Sequence, residues 1–300
     1  MSEILKMDSI QEYHDFLKIE TRHPQVSALD LSEVSPIPHR RKNFGFFSII
    51  LKDTDCGELR YGRKKYDYQE GTLVFMAPGQ VVGDDGDDTL FQMKGWALFF
   101  HPDFLRGTSL ARKMKDYTFF TYEVDEALHM SQREREIVID CIRSIREELQ
   151  HSIDRHTRNI IISNIEVFLN HCVRFYERQF ITRKEANKDI LVRFEELLHA
   201  YLDSDKPLEG GIPSVSYCAD KLHLSSNYFG NLIKHETGKS AIEYIQLVVI
   251  SKIKDRLIAS TGKSISEIAY GLGFRYPHHM SRMFKKIVGC TPQEYRINPM

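Results

Sequence analysis

From Ser264 to Lys286 the chain reads SISEIAYGLGFRYPHHMSRMFKK, and few folds accommodate that order of residues. Ile265, Ile268 and Ala269 fall on one face of a short helix, Gly271-Leu272-Gly273-Phe274 reads as a turn, and a second helix begins about Pro277. Ser264 and Glu267 have the spacing of a capping box, which satisfies free amide groups at a helix start. Ala269 is small where two helices cross. A glycine in the turn takes the positive φ that ends the first helix, and Pro277 suits the first turn of the next, where its missing N–H costs nothing. Met280, Met283, Phe284 and Ile287 recur at three and four residue spacings and point inward, leaving His278, His279, Ser281, Arg282 and Lys285 outward. Two short helices around such a turn, the second one basic, form a helix-turn-helix pattern. Arginine there can donate two bonds to a guanine edge, and histidine or serine can reach bases or phosphates.

The pattern occurs twice. About fifty residues upstream, Val215, Ala219 and Leu222 mark an apolar helix face, His223-Leu224-Ser225 the turn, and Ser226 to His235 a second helix capped by Ser225. Tyr228, Phe229, Leu232 and Ile233 form its buried side, with Ser226, Asn227, Gly230, Asn231 and Lys234 outward. Between the units, Ser240 to Ala259 carries Ile242, Ile245, Val249, Ile253 and Leu257 along one stripe. Roughly eighteen helical residues at about 1.5 Å each span about 27 Å, close to a DNA turn of about 34 Å, so two recognition helices on it can meet successive major grooves.

These segments resemble the DNA-binding domain of the AraC/XylS family of bacterial transcription regulators. The residues that carry the resemblance are Ser225, Tyr228, Lys234, Glu236-Thr237-Gly238-Lys239, Tyr244, Ile265-Ser266-Glu267-Ile268-Ala269, Gly273-Phe274, Phe284-Lys285-Lys286, Gly289 and Thr291-Pro292-Gln293-Glu294-Tyr295-Arg296. The match covers residues 187 to 297. It departs from the family at Tyr276, where a serine-like cap is common, at Met280, where phenylalanine or leucine is common, and at Gly230, where a larger base-reading side chain is common.

The net charge of −1 argues against DNA binding only until its distribution is read. Residues 214 to 300 hold 12 Lys and Arg against 6 Asp and Glu, so this end is near +6 and the rest near −7. A local excess of cations neutralises phosphates and makes binding sensitive to salt.

Ahead of this end the composition is that of an ordinary globular protein, and 300 residues suggest two domains. The first forty residues are polar and proline-interrupted and read as an arm around a short helix. FGFFSIIL from Phe44 to Leu51, a hairpin about Gly62, the turn-strand-turn from Gly71 to Gly79, and Thr89 to Phe100 read as short strands of a small β-barrel or sandwich. The Gly71 to Gly79 motif resembles the cupin-like sensor domain that precedes many AraC-family DNA-binding domains. Candidate effector-lining residues are the aromatics Phe46, Tyr66, Phe75 and Trp96. Two helices follow, at 131 to 150 and 156 to 180. Ser131 and Glu134 cap the first, and Ile161, Ile165, Phe168, Cys172 and Phe175 stripe the second.

A metal-dependent cupin enzyme needs converging histidines and a carboxylate. Only His39 and His101 lie between Pro38 and Pro102, so neither metal, cofactor nor catalytic residue is expected. Asp84 to Asp88 lacks the spacing of an EF-hand and reads as a solvated acidic loop. Five scattered cysteines without CxxC spacing fit a reducing cytoplasm, and no run is apolar enough for a signal core or a membrane span.

The expected fold class is α+β. A cupin-like barrel with a helical hairpin occupies residues 1 to 180, a linker 181 to 188, and an all-α DNA-binding domain 189 to 300. Within the last, the helix-turn-helix units lie at about 214 to 235 and 264 to 287, joined by a helix at 240 to 259. The resemblance implies a transcription regulator, an activator, that binds double-stranded DNA as a homodimer, contacts RNA polymerase and responds to a small-molecule effector. Without an effector, the same architecture serves as a DNA-binding dimer.

Overall fold

The computed structural model describes residues 4–38, 40–52, 60–61, 64–65, 71–83, 90–122, 126–182, 184–259 and 262–298. It divides into two compact units, Met1–Thr182 and Arg183–Met300.

The N-terminal unit begins with β1 (Leu5–Met7), α1 (Ile10–Leu17), β2 (Val26–Asp30), β3 (Ile37–Pro38), β4 (Lys42–Phe44) and β5 (Phe47–Lys52). It continues with β6 (Arg60–Tyr61), β7 (Lys64–Lys65), β8 (Thr72–Met76), β9 (Val81–Val82), β10 (Leu90–Phe91) and β11 (Gly95–Phe100). Short helices α2 (Pro102–Leu105) and α3 (Ser109–Lys113), strand β12 (Leu128–His129), and long helices α4 (Gln132–Glu148) and α5 (Thr157–Thr182) complete it.

The main sheet has the order β12-β8-β5-β11-β2, and β1-β4-β9 forms a smaller one. Residues opposite one another across a ladder share a face. Register therefore places Phe47, Ile49, Phe75, Leu98 and Phe100 together, and Ser48, Ile50, Ala97 and Phe99 on the reverse. The first face packs an aromatic layer against the helices, with Phe75 at 4.4 Å from Phe119 and Phe119 stacked on Tyr176 at 5.5 Å. The reverse face meets a second core of Met7, Ile10, Tyr13, Phe44, Phe46 and Phe99.

Several expectations change here. The proposed N-terminal arm is part of the core: β1 pairs in parallel with β4, and Ile10, Tyr13 and Leu17 are buried. Their spacing of three and four residues put an apolar stripe within a polar segment. FGFFSIIL is two strands rather than one, because Gly45 breaks it where β1 crosses. The Gly45 amide donates to the Met7 carbonyl at 2.8 Å, and a Cβ there would lie 2.9 Å from the Asp8 backbone. Among the described residues the sheet does not close into a barrel, since β12 and β2 each pair on one side only. Strand β2 is flanked by α4 rather than by a further strand.

The C-terminal unit consists of α6 (Lys184–Leu202), α7 (Lys206–Gly210), α8 (Val215–Leu222), α9 (Ser226–Thr237), α10 (Ala241–Ala259), α11 (Ile265–Tyr270), α12 (Pro277–Val288) and α13 (Pro292–Ile297). The segment expected as a linker, 181 to 188, is helical in its described part: α5 runs to Thr182 and α6 starts at Lys184. It contains no glycine or proline, and its Lys, Glu and Ala residues favour helix whatever their hydrophobic pattern.

Candidate nucleic-acid interface

Ser214 starts α8 by accepting a bond from the Tyr217 amide at 3.1 Å. The helix ends at His223, a non-glycine residue in the left-handed region with φ of 60°. The Leu224 amide then returns to the Ala219 carbonyl at 3.0 Å, closing the turn. Ser225 caps α9 through the Tyr228 amide at 3.1 Å. Tyr228, Phe229, Leu232 and Ile233 are buried, with Phe229 edge-on to Phe194 of α6 at 4.9 Å. This burial fixes the roll of α9. Ser226, Asn227 and Lys234 are exposed, and Gly230 and Asn231 are half-buried. A Cβ built on Gly230 meets nothing within 4 Å, so no packing demands glycine there.

In the second unit, the Ser264–Glu267 capping box is formed, with the Glu267 carboxylate accepting from the Ser264 amide at 2.6 Å. These bonds to Ser264, side chain and backbone, hold the Glu267 carboxyl below its ordinary range. Gly273 supplies the turn's positive φ, 84°, and a Cβ there would lie 2.6 Å from the Pro207 carbonyl oxygen and 2.8 Å from the Gly211 Cα. The turn thus presses on Pro207 and Gly211, at the connection between α7 and α8. Helix α12 starts at Tyr276 without a side-chain cap. Met280 and Phe284 are buried, and Phe284 packs edge-on to Tyr295 of α13 at 5.5 Å.

His278, His279, Arg282 and Lys285 are exposed, and Ser281 is half-buried. Met283 is only half-buried and Ile287 is exposed, so the buried stripe of α12 is narrower than its apolar spacing implied. The connecting stripe also differs. Ile242 is 56 % exposed, and Ile250 joins Ile245, Val249, Ile253 and Leu257 in the core. Ile242 lies in the first turn of α10, where only Ala241 reaches inside.

An exposed cluster at the start of α12 went unread in the sequence. Tyr276 lies 5.6 Å from His278 and 5.5 Å from His279, those two imidazoles are 4.3 Å apart, and Arg275 sits over the Tyr276 ring at 5.6 Å. The run RYPHH was its signal: a cation and three aromatic rings around a helix-starting proline. Other cations belong to the scaffold. Arg256 donates to the Gly271 and Leu202 carbonyls at 2.8 and 3.0 Å, and Lys252 pairs with Asp203 at 2.5 Å.

Of the four candidate effector-lining aromatics, the three that are described, Phe46, Phe75 and Trp96, do not converge. Phe46 is fully buried among Tyr13, Phe44 and Phe99, whereas Phe75 lies on the opposite face of the sheet. Trp96 is half-buried, with Arg143 and Arg146 of α4 over its ring at 5.7 and 5.8 Å. Tyr66 lies outside the described residues, as do His39, Cys56 and the acidic run Asp84 to Asp88. A cavity of about 80 Å³ does exist on the reverse face, between Tyr13, Ile37, Ile50, Lys52, Val82 and Phe91. His101 caps α2, accepting from the Asp103 amide at 3.2 Å. Among the described residues no three His, Cys, Asp or Glu side chains gather as metal ligands, and no helix is long and apolar enough to cross a membrane.

Residues 218–298 match the family model described as a helix-turn-helix domain. The uncharacterized transcriptional regulatory protein YesN of Bacillus subtilis is 35% identical over 92 residues, 29% of this chain and 25% of that protein. The HTH-type transcriptional activator RhaS of Citrobacter koseri is 21% identical over 259 residues, covering 84% of this chain and 85% of RhaS. The chain thus spans a quarter of the length of one relative and most of the other. Among solved structures, a transcriptional regulator with an AraC-type DNA-binding domain from Chromobacterium violaceum is 22% identical, covering 39% of this chain and 99% of that one, with a TM-score of 0.33. Residues 218–298 thus form a helix-turn-helix domain, and over most of its length the chain is similar to a transcriptional activator.

Proposed function

We propose that the chain activates transcription by placing α9 and α12 in successive major grooves on one face of its operator. The observation that carries this is a pair of helices, each rolled so that an apolar side is buried and a polar or basic row faces out. The 19 residues of α10 join them. At about 1.5 Å per residue it reaches about 28 Å, near one turn of DNA. Arg282, His278 and Ser281 read bases in one groove with His279 beside them, and Asn227 and Asn231 read the other with Ser226 at the helix start. Lys234 and Lys285 hold phosphates.

On this proposal residues 1 to 180 sense and dimerise, and 189 to 300 read DNA. The cupin-like character of the first part is supported by β8, set between Gly71 and Gly79, both at positive φ. Dimerisation is supported by Ile160, Val167 and Ile181, exposed on one stripe of α5. The cavity of about 80 Å³ on the reverse face of the sheet must widen to take a small effector, which regulates only if it binds one arrangement of the protein more tightly than another. Contact with RNA polymerase follows from activation, the role in the name of RhaS. The tight packing of Phe46 and Phe75 favours a second reading, a DNA-binding dimer without an effector.

The test is selection of genomic fragments on the purified full chain at two salt concentrations. A motif of two short blocks about one helical turn apart is the expected result. Salt-sensitive binding without a motif would reduce the interface to a basic surface.

A further inference from the structure

Strand β2 is the last strand of the main sheet, and all five of its residues, Val26 to Asp30, line one cleft of about 190 Å³. Side chains alternate between faces along a strand, so consecutive residues share a cleft only where it follows the strand's edge. The ladder shows which backbone groups lie on that edge. β2 runs antiparallel to β11 with Val26 opposite Phe100, and the His101 amide donates to the Gln25 carbonyl at 2.8 Å. Bonded and non-bonded pairs alternate in such a ladder. Gln25, Ser27 and Leu29 therefore turn their N–H and C=O groups to β11, and Val26, Ala28 and Asp30 turn theirs to the cleft. Val26 and Ala28 make no backbone hydrogen bond to another described residue on that side, whereas the Asp30 carbonyl accepts the first bond of the 3-10 turn Leu31–Glu33 and leaves only its N–H to the cleft. Yet Val26 and Ala28 are only 1% and 5% exposed. A buried row of edge donors and acceptors is a template for one more strand.

The walls define the occupant. On one side stand Ile19 and the His14 imidazole, itself buried and held by Ser27 and Thr21 at 2.7 and 2.9 Å. On the other stand Val34, Leu149 and the Arg146–Glu33 ion pair at 2.6 Å. β2 lies recessed between them, so β2 of a second copy, equally recessed, cannot reach it, whereas a single narrow strand can. The lining charges, Arg22 and Arg146 against Glu20, Asp30 and Glu33, are mixed in sign and favour no strongly charged ligand. We propose that this cleft binds an extended peptide segment of a partner protein as a sixth strand. Main-chain hydrogen bonds to Val26, Ala28 and the Asp30 N–H hold it, and small apolar side chains at alternate positions face Ile19 and Leu149.

The test uses the full chain and a displayed library of randomised hexapeptides. Ala28→Pro removes one cleft-facing N–H and fills its place with the ring, while leaving the ladder to β11 intact. Selected peptides should alternate small apolar residues and bind Ala28→Pro at least tenfold more weakly. N-methylation at alternate residues keeps every side chain but deletes one edge's donors. It should cost at least tenfold in one of the two possible registers and little in the other. Equal binding to both proteins, indifference to N-methylation in both registers, or a selection that enriches nothing would each overturn the proposal. Should Ala28→Pro fail to fold by circular dichroism, the N-methyl comparison on the unaltered chain decides alone.

Discussion

Gly230 and Gly273 show how one residue type serves opposite ends. Gly273 has φ of 84° and no room for a Cβ, so Gly273→Ala combines backbone strain with a collision against Pro207 and Gly211. A loss of about 2 kcal/mol or more is expected, read as a fall in the urea midpoint of residues 183 to 300. Gly230 lies inside α9 with open space around it. Gly230→Ala should therefore stabilise by about 0.5 to 1 kcal/mol in the same assay, through helix propensity alone. The outward residues answer to a different measurement. Arg282→Ala should lose about 1 to 3 kcal/mol of preference at a single base pair, and Lys285→Ala should weaken specific and random DNA alike. Equal losses on both DNAs for Arg282→Ala would remove it from base readout. These positions were legible in the sequence because a buried apolar stripe fixes helix roll, and roll fixes what faces out. The Gly273 contact was not, since its partners lie more than sixty residues earlier in the chain.

At the scale of elements, the ends were more legible than the interiors. Capping boxes at Ser131–Glu134 and Ser264–Glu267 are local, four-residue devices, and both are formed. Strand pairing and the path of β2 along α4 depend on contacts that periodicity cannot supply, which is why β1 and α1 read as an arm. The α4–α5 hairpin carries a testable electrostatic element. Arg178 of α5 donates to both Glu134 oxygens, at 3.0 and 2.8 Å, and to the His129 carbonyl of β12 at 2.7 Å. Beside it, the Gln179 amide accepts from the His129 N–H at 2.8 Å and donates to the Ala127 carbonyl at 3.1 Å. Burial raises the Glu134 pKa, but bonds from Ser131 and Arg178 outweigh it and hold the carboxyl below its ordinary range. A depressed carboxyl stabilises the fold above its unfolded pKa, about 4.3, and that contribution fades as pH falls through the folded value. Glu134→Gln should thus lower the melting temperature at pH 7, and the gap from the unaltered chain should shrink towards pH 3. A gap that stays constant over that range would show that the pair's charge contributes nothing.

For the whole molecule, charge and the α5 surface make joint demands. The 12 cations and 6 anions of residues 214 to 300 oppose an acidic remainder, so affinity for DNA should fall steeply with salt even though the chain is near neutral. If α5 also joins two chains through Ile160, Val167 and Ile181, exposed to 42%, 47% and 60%, a dimer presents two such interfaces. On an operator with a repeated site, the second interface then binds as if at a high local concentration, gaining affinity without a new contact. Val167→Glu places a charge in the middle of that stripe without touching the buried side of α5, so the monomer should fold with an unchanged melting profile. Sedimentation should show the full chain as a dimer and Val167→Glu as a monomer. On DNA with one site the two proteins should then bind alike, and on DNA with two sites Val167→Glu should bind at least tenfold more weakly. A Val167→Glu protein that remains dimeric would move the subunit contact elsewhere on the N-terminal unit. One that is monomeric yet loses nothing on the doubled site would show that the two DNA-binding units of a dimer never engage one operator together.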